Sequence, residues 1–307
     1  MKTSQKIELY YFIYQAIREK TRVKIKQLAH SLDLSGRGRT FKVVSDYLHS
    51  MYENKISLKP RLNLRVFENS SITAYFLRAK SRRKLSSTFQ NLAEDPRISK
   101  VLYLAGMYDF LVTARLDDLN LKQYNVRVAK KTHMYTPIFT IPHGWKNDVK
   151  DTLQLFAKSS LKKGNLEREL EDFLPWSDLD WRIYHSMKTN ARKPFTHVGK
   201  SASVTSDTVK RHFYESIVPY CDIAHYFFPR GYSHYHQSFI IVQSEYEKDL
   251  VTCLSVLPCT SYVYPLENEL VLSIFHEGVT HLMTAFQKLE EAGYIDNYLL
   301  LVPLAHW

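Results

Sequence analysis

One pattern recurs along the 307 residues and constrains the fold more than any other feature. Ile72–Leu77 alternates like a strand, and Ser81–Glu94 follows as a helix with Leu85, Phe89 and Leu92 on one face. Pro96 closes that helix. Ile98–Leu104 and Phe110–Ala114 read as strands around the turn Gly106-Met107-Tyr108-Asp109. Leu119–Lys131 reads as a second helix and Met134–Ile141 as a last strand. The order is β-α-β-β-α-β. It returns in Ser238–Gln243, Glu247–Leu257, Ser261–Tyr264, Leu270–Phe275, Thr280–Ala292 and Ile295–Val302. Phe110-Leu111-Val112 and Leu270-Val271-Leu272 correspond at an offset of 160 (270 − 110), and Pro96 and Pro258 at 162 (258 − 96). A near-constant offset over half a chain points to internal duplication.

Each unit follows a helical stretch. Ile7, Leu9, Tyr10, Phe12, Ile13 and Ile17 have helical spacing, a short helix follows at Ile25–Leu32, and a third at Thr40–Leu48. Asp33-Leu34-Ser35-Gly36 supplies the turn between the last two. Ile56–Val66 alternates apolar residues with Lys59, Arg61 and Arg65, as in a two-stranded wing. Helices over Leu179–Tyr184 and Phe195–Ala202, then one opening at Val204–Arg211, repeat the plan. Trp145–Pro175 reads as a polar, mostly helical linker. The expected fold class is α+β: a winged helix-turn-helix and a βαββαβ ferredoxin-like module, repeated twice. The boundaries fall at 1–68, 69–143, 144–177, 178–232 and 233–307.

Charge divides the halves. Residues 1–143 hold 26 Lys and Arg against 11 Asp and Glu, and residues 144–307 hold 16 against 20. The overall +11 is therefore +15 and −4, and the first half reads as a polyanion binder. No apolar run approaches the roughly 18–20 residues of a membrane span. Cys221, Cys253 and Cys259 have no metal-ligand spacing, which fits a reducing, cytoplasmic setting. The 21 Tyr and 16 Phe, including Tyr10, Phe12, Phe76, Tyr103 and Phe110, fall at core-like positions.

A helix-turn-helix offers the start of its third helix to base edges. In the first head that region carries Arg37, Arg39, Thr40 and Lys42, and Arg suits bidentate contact with guanine. Lys24 and Lys26 open the second helix, where phosphates are met. Lys59, Arg61 and Arg65 would set the wing along the backbone. Residues 18–65 hold 12 basic and 4 acidic side chains; residues 178–220 hold 7 and 4. Thr205, Thr208, Lys210 and Arg211 are the second head's candidates, while Asp207 there would repel a phosphate. The alternative for that head is a structural role.

The element order, together with Asp95-Pro96-Arg97-Ile98-x-x-Val101 and Gly106-Met107-Tyr108-Asp109-Phe110-Leu111-Val112, resembles the Lrp/AsnC family of transcription regulators. Leu179-Asp180-x-x-Ile183 with Val204-Thr205-x-x-Thr208-Val209-x-x-Arg211 is similar to the family's helix-turn-helix. Ordinary members carry one copy, so the tandem arrangement departs from the pattern. The resemblance implies a non-enzymatic regulator of double-stranded DNA, forming homo-oligomers, with neither membrane nor cofactor involved. It also implies an effector such as an amino acid at Gly106, Tyr108 and Asp109. The alternative there is that Asp109 caps the turn and Tyr108 fills a sheet interface. In the second copy the stretch is Glu267-Asn268-Glu269, without the Gly.

Two other classes stay open. Siroheme decarboxylases share this fold with a degenerate helix-turn-helix, and the His-rich second half suits a tetrapyrrole. His234-x-His236, with His225 nearby, is compatible with a metal or tetrapyrrole contact, although no complete metal motif accompanies it. His143, His276 and His281 have no nucleophile partner by spacing, and no metal site is expected. The other class is a protein-interaction module without DNA.

Overall fold

The computed structural model describes residues 3–31, 40–115 and 119–306. In chain order the helices are α1 (Thr3–Glu19), α2 (Ile25–Ser31), α3 (Thr40–Glu53), α4 (Leu85–Ala93), α5 (Val149–Ala157), α6 (Asp178–Met187), α7 (Phe195–Ala202), α8 (Ser206–His212), α9 (Glu247–Cys253) and α10 (Val279–Glu291). The strands are β1 (Arg61–Leu64), β2 (Ile72–Ala79), β3 (Ile98–Ala105), β4 (Phe110–Ala114), β5 (Val126–Met134), β6 (Ile138–Phe139), β7 (Cys221–Ala224), β8 (His236–Gln243), β9 (Tyr262–Pro265), β10 (Leu270–His276) and β11 (Asn297–His306). The fold is mixed α and β with a large antiparallel sheet. No described helix is long and apolar enough to cross a membrane.

The chain divides into two compact units. A head unit takes residues 1–65, 175–235 and 258–260, and a sheet unit takes 66–174, 236–257 and 261–307.

The head unit collects both helical stretches. Tyr10, Ile13, Tyr14, Ile17, Leu28, Val44 and Met51 are buried, so one stripe of each of α1–α3 faces inward. Phe12, assigned to a core position by spacing, is 39% exposed and lies off that stripe. Ser177 caps α6 in a capping box with Asp180, and the Thr205 side chain accepts from the Thr208 N–H to cap α8.

The expected two-stranded wing is not formed. Pro60 lacks an N–H for a ladder, and Arg61–Leu64 pairs antiparallel with Cys221–Ala224 of the second stretch. The register is reciprocal: Arg61 faces Ala224, Leu62 faces Ile223, Asn63 faces Asp222 and Leu64 faces Cys221. A second reciprocal contact locks the loops before α2 and α7. Arg22 donates to the carbonyls of Ala191 (2.7 Å) and Lys193 (3.0 Å), and Arg192 donates to those of Thr21 (2.5 Å) and Val23 (3.1 Å). Arg22 also lies 3.9 Å from the Phe195 ring centroid.

The sheet unit holds both strand runs. Among the described residues the strand order is β5-β2-β4-β3-β11-β8-β10-β9-β6. Its ends, β5 and β6, are separated by Tyr135-Thr136-Pro137 in sequence, so the ladder turns back on itself. Each half keeps the order fourth-first-third-second (β5-β2-β4-β3 and β11-β8-β10-β9), and each last strand continues into the other half. Residues 297–301 of β11 pair with β8, and residues 302–306 pair with β3 after an irregularity near Pro303. β5 pairs with β2, and its continuation β6 pairs with β9. The two halves thus pair within one chain.

That exchange builds the core. Ala74, Phe76, Leu102, Leu104, Leu111 and Met134 from the first half pack with Phe239, Ile241, Leu266, Val271 and Leu301 from the second. Full burial of such a side chain is worth about 1.5–3 kcal/mol. The opposite face of the first half is covered by α4 and by Leu119, Leu121 and Tyr124.

Two expected elements differ. Among the described residues, Leu119–Lys131 contains a short 3-10 turn (Lys122–Tyr124) and then the start of β5. Asn125 adopts a left-handed φ of 56°, which ends the turn, and Val126-x-Val128 favours a strand. Residues 145–175 are helical only over α5. Beyond it the backbone is extended and tied down by Gly164 N–H to Glu245 O (2.8 Å), Lys248 N–H to Gly164 O (2.9 Å) and the Arg168–Glu247 ion pair (2.5 Å).

Gly106 tests the exchange. Its φ is +140°, and a Cβ there would lie 2.8 Å from Leu301 Cδ2 and 3.1 Å from the Leu300 carbonyl. Gly106→Ala is expected to destabilise the chain by about 2–4 kcal/mol, from backbone strain plus overpacking. Chemical denaturation measures it; an unchanged midpoint would contradict the close passage of β11.

Candidate functional site

The cations assigned to DNA have varied surroundings. Lys24 and Lys26 are exposed on and before α2, and Lys42 is exposed on α3 beside Phe41 and Val43, which are 46% and 40% exposed. Arg37 and Arg39 lie outside the described residues, as does the side chain of Thr40. Lys59 and Arg61 are exposed along β1 and its approach. Arg65 turns onto the head unit's own backbone, donating to Pro219 O at 2.5 Å. Thr205 and Thr208 hydrogen-bond each other across the α8 cap (2.9 Å), and Lys210 and Arg211 are exposed.

The turn at 106–109 is occupied structurally. Asp109 Oδ2 accepts the Ala79 N–H at 2.8 Å, while its own N–H donates to Leu77 O at 2.9 Å. Tyr108 packs on Phe76, ring centroids 5.0 Å apart, in the core between the half-sheets. Burial, then the Glu269 charge, raises its pKa above the ordinary tyrosine value. The corresponding second turn meets β5: Lys130 pairs with Glu269 (2.5 Å), and the Thr132 hydroxyl donates to Glu267 (3.0 Å).

The histidines separate by environment. In the head unit His225 is fully buried, its Nε2 2.7 Å from Ser57 Oγ and its ring 4.8 Å from that of Tyr14. Burial pushes its pKa down to about 3 and that of Tyr14 up to about 12. In the sheet unit His276 is buried with Nε2 2.8 Å from Ser238 Oγ, and it faces His236 across β10 and β8 at 6.1 Å. Burial, with the His236 charge secondary, lowers its pKa to about 4. Among the described residues no group of three His, Cys, Asp or Glu is placed to hold a metal.

One exposed histidine sits in a built turn. The connection after β7 spans 11 residues (225–235), whereas that after β1 spans 7 (65–71). The longer one carries Arg230-Gly231-Tyr232-Ser233-His234 against the end of α3. Phe228 N–H donates to Ile56 O (2.7 Å), and Tyr232 N–H to Lys55 O (2.9 Å). Gly231 has a φ of +86°, and a Cβ there would lie 2.9 Å from Asn54 O. This pins a short 3-10 turn, Tyr232–His234, with His234 Nε2 3.5 Å from Arg230 Nη1 and Lys55 Nζ 6.0 Å from the Tyr232 ring centroid. The buried Phe228 stacks on Tyr226 at 5.8 Å and meets the Tyr232 ring edge-on at 5.3 Å. An imidazole, two cations and the Tyr232 ring are groups that can hold an anionic ligand. Reading the sequence flagged His234-x-His236 but not Arg230 or Lys55. The extra length beside a Gly was the available signal.

No family model matches the chain, and no curated protein matches it. Solved structures do. The crystal structure of the siroheme decarboxylase NirDL is similar over 97% of this chain and 91% of its own, with a TM-score of 0.56 at 12% identity. The same enzyme in co-complex with an iron-uroporphyrin III analogue matches over 99% and 92%, with a TM-score of 0.55 at 11% identity. The shared fold takes in helical stretches and sheet alike. The expectation of a DNA-binding regulator that is not an enzyme is corrected on this finding: the solved structures that share the fold over nearly the whole chain are those of an enzyme.

His276 generates a pH prediction. Its folded-state pKa of about 4 lies below the ordinary ~6.5, so the folded state binds fewer protons between those values. Its contribution to stability is present above pH ~6.5 and is lost as pH falls toward 4. Relative to wild type, His276→Gln should flatten the stability–pH curve in that window by about 1–3 kcal/mol. Parallel urea midpoints check this, and identical slopes would count against a buried neutral imidazole.

Proposed function

We propose that this chain is a siroheme-decarboxylase-like enzyme acting on a metal-containing tetrapyrrole with carboxylate side chains. The whole-chain structural match carries the reading. The charge distribution agrees with it. A polycarboxylate is itself a polyanion, so a net +15 over residues 1–143 suits an acidic small substrate as well as it suits a nucleic acid.

Decarboxylation of a carboxymethyl group breaks the bond to the carboxyl carbon. CO2 leaves, the bonding pair stays on the methylene carbon through the ring system, and a proton completes a methyl group. The protein must hold the carboxylate and deliver that proton. Arg230 and Lys55 supply positive charge, Tyr232 supplies a ring backed by the buried Phe228, and His234 supplies an exposed imidazole. The shorter connection at 65–71 lacks an equivalent histidine, so this reading gives one such station per chain.

We also propose that the chain is one two-module unit written twice, each a helix-turn-helix followed by a ferredoxin-like module. The reciprocal pairing of β1 with β7 supports this, since their first residues stand 160 apart (221 − 61). Arg22 and Arg192 exchange equivalent contacts, and the strand order in the two halves is the same.

The test is a titration of the full chain with iron-uroporphyrin III, followed by its visible absorption band, then mass analysis for CO2 loss. Saturable 1:1 binding is expected, weakened about tenfold or more by His234→Gln or Arg230→Gln at unchanged thermal stability. The absence of any spectral change at saturating tetrapyrrole would overturn the reading.

A further inference from the structure

A second cationic feature belongs to the sheet unit. Arg78, Lys80, Arg82, Arg83 and Lys84 are five of the seven residues 78–84, where β2 ends and α4 begins, and Lys122 and Arg127 flank the start of β5. The segments 78–93 and 119–134 contain no Asp or Glu. The backbone draws them together: Lys80 N–H donates to Asn125 O at 2.9 Å. Arg78 and Arg127 are direct cross-strand partners in the β2–β5 ladder. Their side chains leave the same face with Cβ atoms about 4.5–5.5 Å apart, an arrangement that destabilises like charges. Arg78 is also held in place, its Nε donating to Met107 O at 3.0 Å, which leaves the other guanidinium nitrogens for a further partner. Asp109, in the neighbouring turn, accepts the Ala79 N–H.

A solvated basic surface is normally dispersed and interleaved with acids. Here two guanidiniums are opposed across adjacent strands, one of them fixed by a backbone carbonyl, and the other five cations named above lie on the same two segments. We propose that the Arg78–Arg127 pair is a binding site for a small polyanion bearing two or more phosphate or carboxylate groups. Each guanidinium can take one anionic group in a forked contact, which removes the like-charge cost that the empty pair carries. The surrounding lysines and arginines add attraction that salt would screen. This site does not depend on the tetrapyrrole reading, and its ligand need not be the substrate.

Inorganic triphosphate and benzenehexacarboxylate serve as probes, titrated calorimetrically into the full chain across a NaCl series. Two arms separate the possible sources, since triphosphate reports a phosphate ligand and benzenehexacarboxylate a carboxylate one. At least one probe should bind saturably, with affinity falling as salt rises. Arg78→Gln with Arg127→Gln should weaken it at least tenfold, whereas Lys24→Gln with Lys26→Gln in the head unit should change it less than twofold. Without ligand, Arg127→Gln alone should melt at the same temperature as wild type or higher, because it relieves repulsion. Added probe should raise the melting temperature of wild type but not of the double variant. Equal loss in both double variants would show diffuse charge and overturn the proposal. A marked fall in the melting temperature of ligand-free Arg127→Gln, or no binding of either probe at low salt, would overturn it as well.

Discussion

The structure depends on two last strands that do not stop at the edge of their own sheet. β11 runs for ten residues, five along β8 and the rest along β3 of the other half. β5 ends at Met134, and three residues later β6 joins β9 of the other half. A sheet with free edges is an invitation to pair with another chain. Here each half closes the other's edge, and apolar faces that would otherwise meet solvent become one core around Phe76, Leu102, Phe239 and Leu301. Gly106 has no side chain because β11 passes over it, and Lys130 has a carboxylate to meet because β5 crosses to Glu269. The head unit repeats the device on a smaller scale, with β1 on β7 and two arginines reaching into each other's loops.

Much of this was legible, for physical reasons that differ by element. Strands buried on both faces, such as Phe110–Ala114 and Leu270–His276, are continuous apolar runs and stood out. The α6 start was readable from the run Leu179–Tyr184, and the structure adds the Ser177–Asp180 capping box that fixes it. Leu119–Lys131 was misread as one helix: Leu119 and Leu121, two residues apart, fill a core gap before a left-handed Asn125, and a strand follows. The wing misled because a lone amphipathic strand cannot reveal whose strand it pairs with. Nothing near Arg61–Leu64 in sequence indicates a partner at Cys221–Ala224.

The functional reading failed at a sharper point. Counting charge treats all cations alike, and the structure gives them separate tasks. Arg22 and Arg192 saturate loop carbonyls. Arg97 holds Asp95, which also accepts from the Tyr124 hydroxyl at 2.5 Å and has its pKa driven well below the carboxylate range, chiefly by the Arg97 hydrogen bond. Arg168 is fixed to Glu247. Only a subset is left to meet a ligand, and a helix-turn-helix outline does not say that the ligand is DNA. The candidate site is legible only in hindsight: His234 was visible as part of His-x-His, but its partners come from the end of α3, about 180 residues earlier (234 − 55 = 179).

The central structural claim is that one chain completes its own paired sheet. Hydrogen–deuterium exchange of the full chain, read by mass spectrometry over the peptide 300–306, tests it directly. A C-terminal segment without a partner frays and exchanges at once. Pairing of Val302–His306 with β3 predicts protection approaching that of β8 and β10, unchanged when the protein is diluted. Exchange of this peptide at the rate of an unstructured terminus, or protection that vanishes on dilution, would contradict the account.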